Sequence, residues 1–277
     1  MMINSVNSFE KGFKYKLYRT VYEVVHPTIS KKNISSYRIM FKDDILPVRV
    51  FYPKKVSNIN RIIFYIAGFG DVTGCTGKYG DICKRMALKT DTLVIALDMD
   101  DIDDDNYLEV YELCHKTCLY LNDELEKLNI DDLKIFLTGD SLGANMAMSI
   151  CKDEKFSLYN MILFYPVLSS KCLDREVDYE VLKSLKRYFS DKKLLNNSLV
   201  FPLLDMNYKY KNNTLFIVGD ADPIKDDVLS YYDLGHDDNK NNELYIVNMY
   251  GHGFLDGVDE IALGNLFDKV NEFMNNC

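Results

Sequence analysis

LTGDSLGANMAMS, residues 137–149, is the stretch on which the reading of this chain turns. An apolar run leads into Gly139, then come Asp140, Ser141 and Leu142, and a second glycine stands at 143. This is G-x-S-x-G, set between a segment that reads as a strand (133–139) and one that reads as a helix (142–152). So tight a turn from strand to helix has no room for side chains at the flanking positions, which accounts for glycine at both. It would push the Ser141 hydroxyl out at the top of a sheet. It would also put the Leu142 N–H at a helix N-terminus, where it can stabilise an oxyanion. The plainer reading is a serine N-cap in a glycine turn; the strand–helix context favours the nucleophile. A serine alone is inert and needs a base, with an acid to orient it.

Outward from this turn, strands and helices alternate in both directions. Residues 61–68 and 92–98 are continuous apolar runs, as expected for strands buried on both faces. Residues 77–90 read as a helix and 105–128 as a long amphipathic one. Beyond the turn, 160–166, 214–220 and 243–249 read as strands, with helices near 224–234 and at 258–275. Residues 37–54 read as two strands around a turn at Asp43-Asp44. The alternation predicts an α/β fold: a mostly parallel sheet with helices on both faces. Residues 168–212 break the rhythm and read as partly helical with no clear strand, and 1–35 as irregular. Neither a repeat nor a linker interrupts the chain, so the expectation is a single domain over 1–277 with an insertion.

Composition excludes some roles. With 277 residues the chain can bury roughly three-quarters of its unfolded surface. A net charge of −9 argues against a nucleic-acid partner and against docking on anionic membranes. No apolar h-region appears in residues 1–26, and no run approaches the length of a membrane span. Seven scattered cysteines suit reduced thiols, so a cytoplasmic location is expected. The sequence leaves a homodimer open.

Four histidines compete for the role of base. His26 precedes Pro27, His115 lies in the long helix and His236 sits in a polar loop. His252 follows the last strand between two glycines. An α/β-hydrolase runs in chain order Ser, Asp or Glu, His, with the histidine in that last loop, and only His252 fits. The acid should follow the strand at 214–220. Asp220 and Asp222 are both available; Asp222 is preferred because Pro223 after it could open the next helix, and Asp220 is the fallback.

With these residues in hand, the chain resembles the hormone-sensitive-lipase-like esterases, a branch of the α/β-hydrolases. GDSLGAN (139–145) resembles that family's Gly-Asp-Ser-Ala-Gly-Gly-Asn, DPIKDD (222–227) its Asp-Pro-Leu-x-Asp-Glu, and GHGF (251–254) its His-Gly-Phe. DILPVRVFYP (44–53) is similar to its early strand pair, so the resemblance runs from about 37 to 275. It implies an α/β-hydrolase fold with a helical cap built from 1–35 and 168–212, in which Tyr188, Phe189, Phe201 and Tyr208 either line the roof or pack the core. It also implies an oxyanion hole. Where the family has His-Gly-Gly-Gly, this chain has Ala67-Gly68-Phe69-Gly70, so the backbone N–H groups of Phe69 and Gly70 would join that of Leu142. The family's Asp-Tyr-Arg-Leu-Ala-Pro-Glu is replaced by the acidic DMDDIDDDN (98–106), so substrate specificity does not carry over.

Two other clusters have plain readings. Asp101, Asp103, Asp105, Asn106 and Glu112 approach a calcium loop, but they follow a strand, and Asp104 and Asp105 serve as well as helix N-caps. Cys114, His115 and Cys118 occupy one helical turn without a second ligand pair, so a half-buried helix face is expected, with no metal. The expected function is a serine carboxylesterase acting on a small-molecule, short-chain ester, with Ser141, Asp222 and His252 as its triad and no cofactor. The rivals are an amidase or deacetylase with the same triad, and a catalytically silent relative that binds a ligand or a protein.

Overall fold

The computed structural model describes residues 36–39, 45–54, 60–68, 78–99, 106–156, 159–174, 185–189, 191–205, 212–236 and 241–277. Its centre is an eight-stranded sheet in the order β1-β2-β4-β3-β5-β6-β7-β8. The strands are β1 (Ser36–Ile39), β2 (Val48–Phe51), β3 (Arg61–Ile66), β4 (Leu93–Leu97), β5 (Lys134–Asp140), β6 (Asn160–Phe164), β7 (Thr214–Gly219) and β8 (Glu243–Val247). β1 and β2 pair antiparallel, as does β2 with β4, and β3 to β8 are parallel. The apolar runs of β3, β4, β6 and β7 are buried almost throughout, as a sheet covered on both faces requires.

The helices are α1 (Lys78–Thr90), α2 (Tyr107–Glu126), α3 (Leu142–Ile150), α4 (Lys225–His236) and α5 (Glu260–Asn276). From β3 to β4 the chain steps one way along the sheet; from β4 it returns past β3 to β5, then continues to β8. Right-handed crossovers turn such a reversal into opposite faces. Thus α1 covers one face and α2, α3 and α4 the other, and α5 packs beside α1. Between β6 and β7 the described residues form no strand. They make one helical turn, Lys171–Asp174, and 3-10 turns at Lys186–Phe189, Lys192–Asn196 and Pro202–Leu204.

Most expected elements lie within about two residues of their observed ends. The predicted turn at Asp43-Asp44 and the N-terminal cap segment 1–35 lie outside the described residues. The helix after β7 begins at Lys225, so Pro223 precedes it rather than opening it. The N-cap of α2 is neither Asp104 nor Asp105 but Asn106. Asn106 Oδ1 accepts from Leu108 N–H at 3.1 Å, and its amide donates to Glu109 Oε1 at 2.9 Å. Among the described residues, no helix is long and apolar enough to cross a membrane.

Candidate active site

Parallel strands bring all their C-terminal ends to one edge of the sheet, and ligands of open α/β sheets bind there. Ser141 stands at the end of β5, Asp222 just beyond β7 and His252 beyond β8. Ser141 adopts φ 52° and ψ −117°, a backbone conformation that costs a non-glycine residue about 1–3 kcal/mol. Surrounding bonds hold it there. Its N–H donates to Phe164 O at 2.9 Å, and its carbonyl accepts from Asn145 N–H at 3.1 Å and Val167 N–H at 3.3 Å. Space is as restrictive: a Cβ on Gly143 would lie 2.1 Å from Ile66 O, and one on Gly139 2.5 Å from the Gly143 carbonyl carbon.

Ser141 occupies the N-cap position of α3, yet its side chain makes no capping bond. Instead Oγ lies 2.9 Å from His252 Nε2. On the far side of the ring, His252 Nδ1 is 3.0 Å from Asp222 Oδ2. A carboxylate only accepts, so Nδ1–H donates to Asp222, and Nε2 is left to take the Ser141 proton. Both the Asp222 and His252 side chains are fully buried. Asp222 Oδ1 accepts from Ile224 N–H at 2.9 Å, which fixes the carboxylate. Tyr165, itself at φ 37°, packs its ring on His252 in a T-shaped arrangement with centroids 5.0 Å apart. Gly219 gives the passing loop room, since a Cβ there would meet Tyr250 O at 2.0 Å. Gly253, at φ 75°, turns the chain away after the histidine.

Asp220, the fallback acid, is exposed; its Oδ1 accepts from Met249 N–H at 2.6 Å and pins the loop after β8. Leu142 is buried as the first residue of α3, where N–H groups lack intrahelical partners. Phe69 and Gly70 lie outside the described residues, as do His26, Tyr208 and Asp101, Asp103, Asp104 and Asp105. His115 is half-buried far from the serine in sequence, stacked on Tyr111 and 3.0 Å from Asp153 Oδ2. Cys114 and Cys118 are buried beside it, and burial pushes the Cys114 thiol up to about 12. Tyr188, Phe189 and Phe201 are buried, and Phe189 packs on Phe201 and on Tyr107 of α2, which is core packing.

The sequence reading overlooked two buried polar clusters. Asn145 Oδ1 accepts from Tyr107 O–H at 2.5 Å, while its amide donates to Val167 O and Val200 O, each at 2.6 Å. One turn below the serine, it ties α2, α3 and the segment after β6 together. Asp140 is the second cluster: it accepts from Tyr65 O–H, Gly68 N–H and Tyr79 O–H. The available signal was a charge at the C-terminal end of the largely apolar run IFLTGD, for such a group needs buried partners.

Known proteins bear on this geometry. A family model described as the alpha/beta hydrolase fold matches residues 63–256. An alpha/beta hydrolase of Acanthamoeba polyphaga mimivirus is 22% identical over 77% of this chain and 70% of its own length. Arylacetamide deacetylase of Mus musculus is 28% identical over 52% of this chain, and the match spans only 38% of that enzyme. Among solved structures, an arylesterase superposes with a TM-score of 0.73 at 18% identity, covering 99% of this chain and 97% of that one. At that identity the likeness is one of fold.

Proposed function

Because the chain belongs to the α/β-hydrolase family, in its hormone-sensitive-lipase-like esterase branch, we propose that it is a serine carboxylesterase acting on small or short-chain acyl esters. Ser141 Oγ attacks the ester carbonyl as His252 Nε2 takes its proton. The carbonyl π pair moves onto oxygen, and the resulting oxyanion is held by Leu142 N–H together with the backbone N–H groups of Phe69 and Gly70. The tetrahedral intermediate collapses, the alkoxide leaves with the proton from His252, and Ser141 carries the acyl group. Water, deprotonated by His252, repeats the cycle and releases the acid. Asp222 keeps Nδ1 protonated and stabilises the imidazolium.

One observation carries this reading. A serine at a helix N-cap, held in a strained conformation, makes no cap and meets a histidine that is itself held by a buried carboxylate. Strain of this kind persists where surrounding structure over-determines it, as at reacting groups. The second reading, hydrolysis of an amide, is favoured by the similarity to arylacetamide deacetylase. Hydrolysis of p-nitrophenyl acetate, butyrate and octanoate, beside acetanilide, tests both. Ester turnover should fall by about 10⁴-fold or more in Ser141→Ala, since a broken triad keeps only the contribution of binding and oxyanion donors. Preferred turnover of acetanilide would move the assignment to an amidase. Equal and negligible activity of both proteins on all four would favour a binding role.

A further inference from the structure

We propose that Asp140 is a positioning residue for the oxyanion-binding side of the site, holding Gly68 and Tyr79 in fixed relation to the Ser141 nucleophile. The inference rests on the hydrolase reading above. Asp140 is joined to Ser141 by one peptide bond, so whatever its carboxylate holds is held against the nucleophile. Oδ1 accepts from Tyr65 O–H of β3 and from Gly68 N–H, both at 2.8 Å. Oδ2 accepts from Tyr79 O–H, in the first turn of α1, at 3.2 Å. Gly68 is where the chain leaves β3 and Tyr79 is where α1 has begun, so one carboxylate binds on both sides of residues 69–77. The expected oxyanion donors, Phe69 and Gly70, fall between these anchors in the chain.

Packing and charge argue the same way. A Cβ on Gly68 would come within 2.5 Å of Asp140 Oδ2 and 2.7 Å of the Asp140 carbonyl oxygen, so side chain and backbone of Asp140 together make this a glycine position. Ala67 stands where the resembled family has a histidine and offers no side-chain hydrogen bond. The Asp140 carboxyl, in turn, is buried, and no cation pairs with it among the described residues. Burial pushes it up to about 6, although the Gly68, Tyr65 and Tyr79 bonds pull it down. A buried carboxylate with three converging donors is an expensive way to fill a core. It is a good way to fix three groups at once, because a carboxylate offers about four acceptor positions.

The test compares Asp140→Ala, Asp140→Asn and Tyr79→Phe with the unmodified chain. Rates on p-nitrophenyl butyrate are taken per active site, counted by fluorophosphonate labelling of Ser141. Asp140→Ala should lower kcat roughly 100-fold, the scale of a lost oxyanion donor, with KM within about threefold. Asp140→Asn should restore most of that loss, since its carbonyl still accepts from Tyr65 and Gly68 while its NH₂ donates to Tyr79. Tyr79→Phe, which removes only a half-buried hydroxyl, should lower kcat about fivefold, the scale of one hydrogen bond. A second readout needs no turnover: the Gly68 amide should exchange with solvent about tenfold faster in Asp140→Ala or Tyr79→Phe. Values of kcat per active site within about twofold of the unmodified chain in both variants, with unchanged Gly68 exchange, would overturn the proposal. If Asp140→Ala fails to fold, Tyr79→Phe decides it on the same criteria. Should the unmodified chain neither turn over esters nor label at Ser141, the hydrolase reading falls, and Gly68 exchange alone decides whether Asp140 anchors Gly68.

Discussion

Ser141 stands on backbone packed against backbone, whereas Asp222 and His252 are held by side-chain hydrogen bonds in loops. On the β3–β5 side, Gly139 and Gly143 let α3 press onto the carbonyls of β3, and the serine is trapped at a positive φ. On the β7–β8 side the decisive contacts are His252 to Asp222, Asp222 to Ile224 N–H and Asp220 to Met249 N–H. The difference separates two kinds of fragility. A methyl group too many breaks the first side by sterics; the second side shares that limit only where Gly219 passes Tyr250 O, and otherwise fails when an acceptor is lost.

That contrast is most exposed at Asp222. Asp222→Asn should lower kcat about 10⁴-fold with little change in melting temperature, because the wrong histidine tautomer would face Ser141. Asp220→Ala should keep kcat within about threefold and cost about 1 kcal/mol of stability, the value of one exposed acceptor. A reversal of these two outcomes in paired steady-state kinetics would move the acid to Asp220. On the other side, Gly143→Ala should destabilise by about 3 kcal/mol or more, lowering the melting temperature by roughly 6–12 °C. Gly257→Ala, where an added Cβ meets nothing within 4 Å, should stay within about 0.5 kcal/mol by the same calorimetry. Equal effects at the two glycines would break the steric account.

The last expected effect concerns pH. The Asp140 carboxyl is raised from 3.8 to about 6 by burial, with Asp256 adding repulsion and Tyr65, Tyr79 and Gly68 opposing. Tyr165 also faces it and stays protonated throughout this range, because its own hydroxyl is raised well above 10. Folding therefore takes up a proton between these values. The stabilisation is complete below about pH 4 and is lost as pH rises through about 6. The stability of the unmodified chain minus that of Asp140→Asn should fall by roughly 2–3 kcal/mol from pH 4 to pH 7. Urea unfolding of both proteins across that range measures it, and a flat difference would mean that the carboxyl is not raised.

Much of this was legible in the chain because the signals are local. Apolar runs such as RIIFYI and LVIAL report burial on both faces whatever their partners, and they locate β3 and β4 closely. Gly139-Asp140-Ser141-Leu142-Gly143 reports its turn because only glycine fits there. Where several residues could play one local part, the pattern alone did not choose. Asp104, Asp105 and Asn106 are all good N-caps, and Asn106 caps α2 because it stands next to the first helical residue. Asp220 and Asp222 differ by two positions in one loop, and the turn after β7 exposes the first and buries the second.

By itself the sequence determined the element order, the mostly parallel sheet and the chain positions of Ser141 and His252, since each follows from short-range periodicity or from a turn that admits few residues. Only tertiary structure decided that Asp222 rather than Asp220 meets His252, that Tyr188, Phe189 and Phe201 pack the core, and that Tyr65, Gly68 and Tyr79 converge on Asp140. The reason is distance along the chain. Tyr65 and Tyr79 lie 75 and 61 residues from Asp140, and a hydroxyl's direction leaves no mark in local pattern until the sheet and α1 have closed around it.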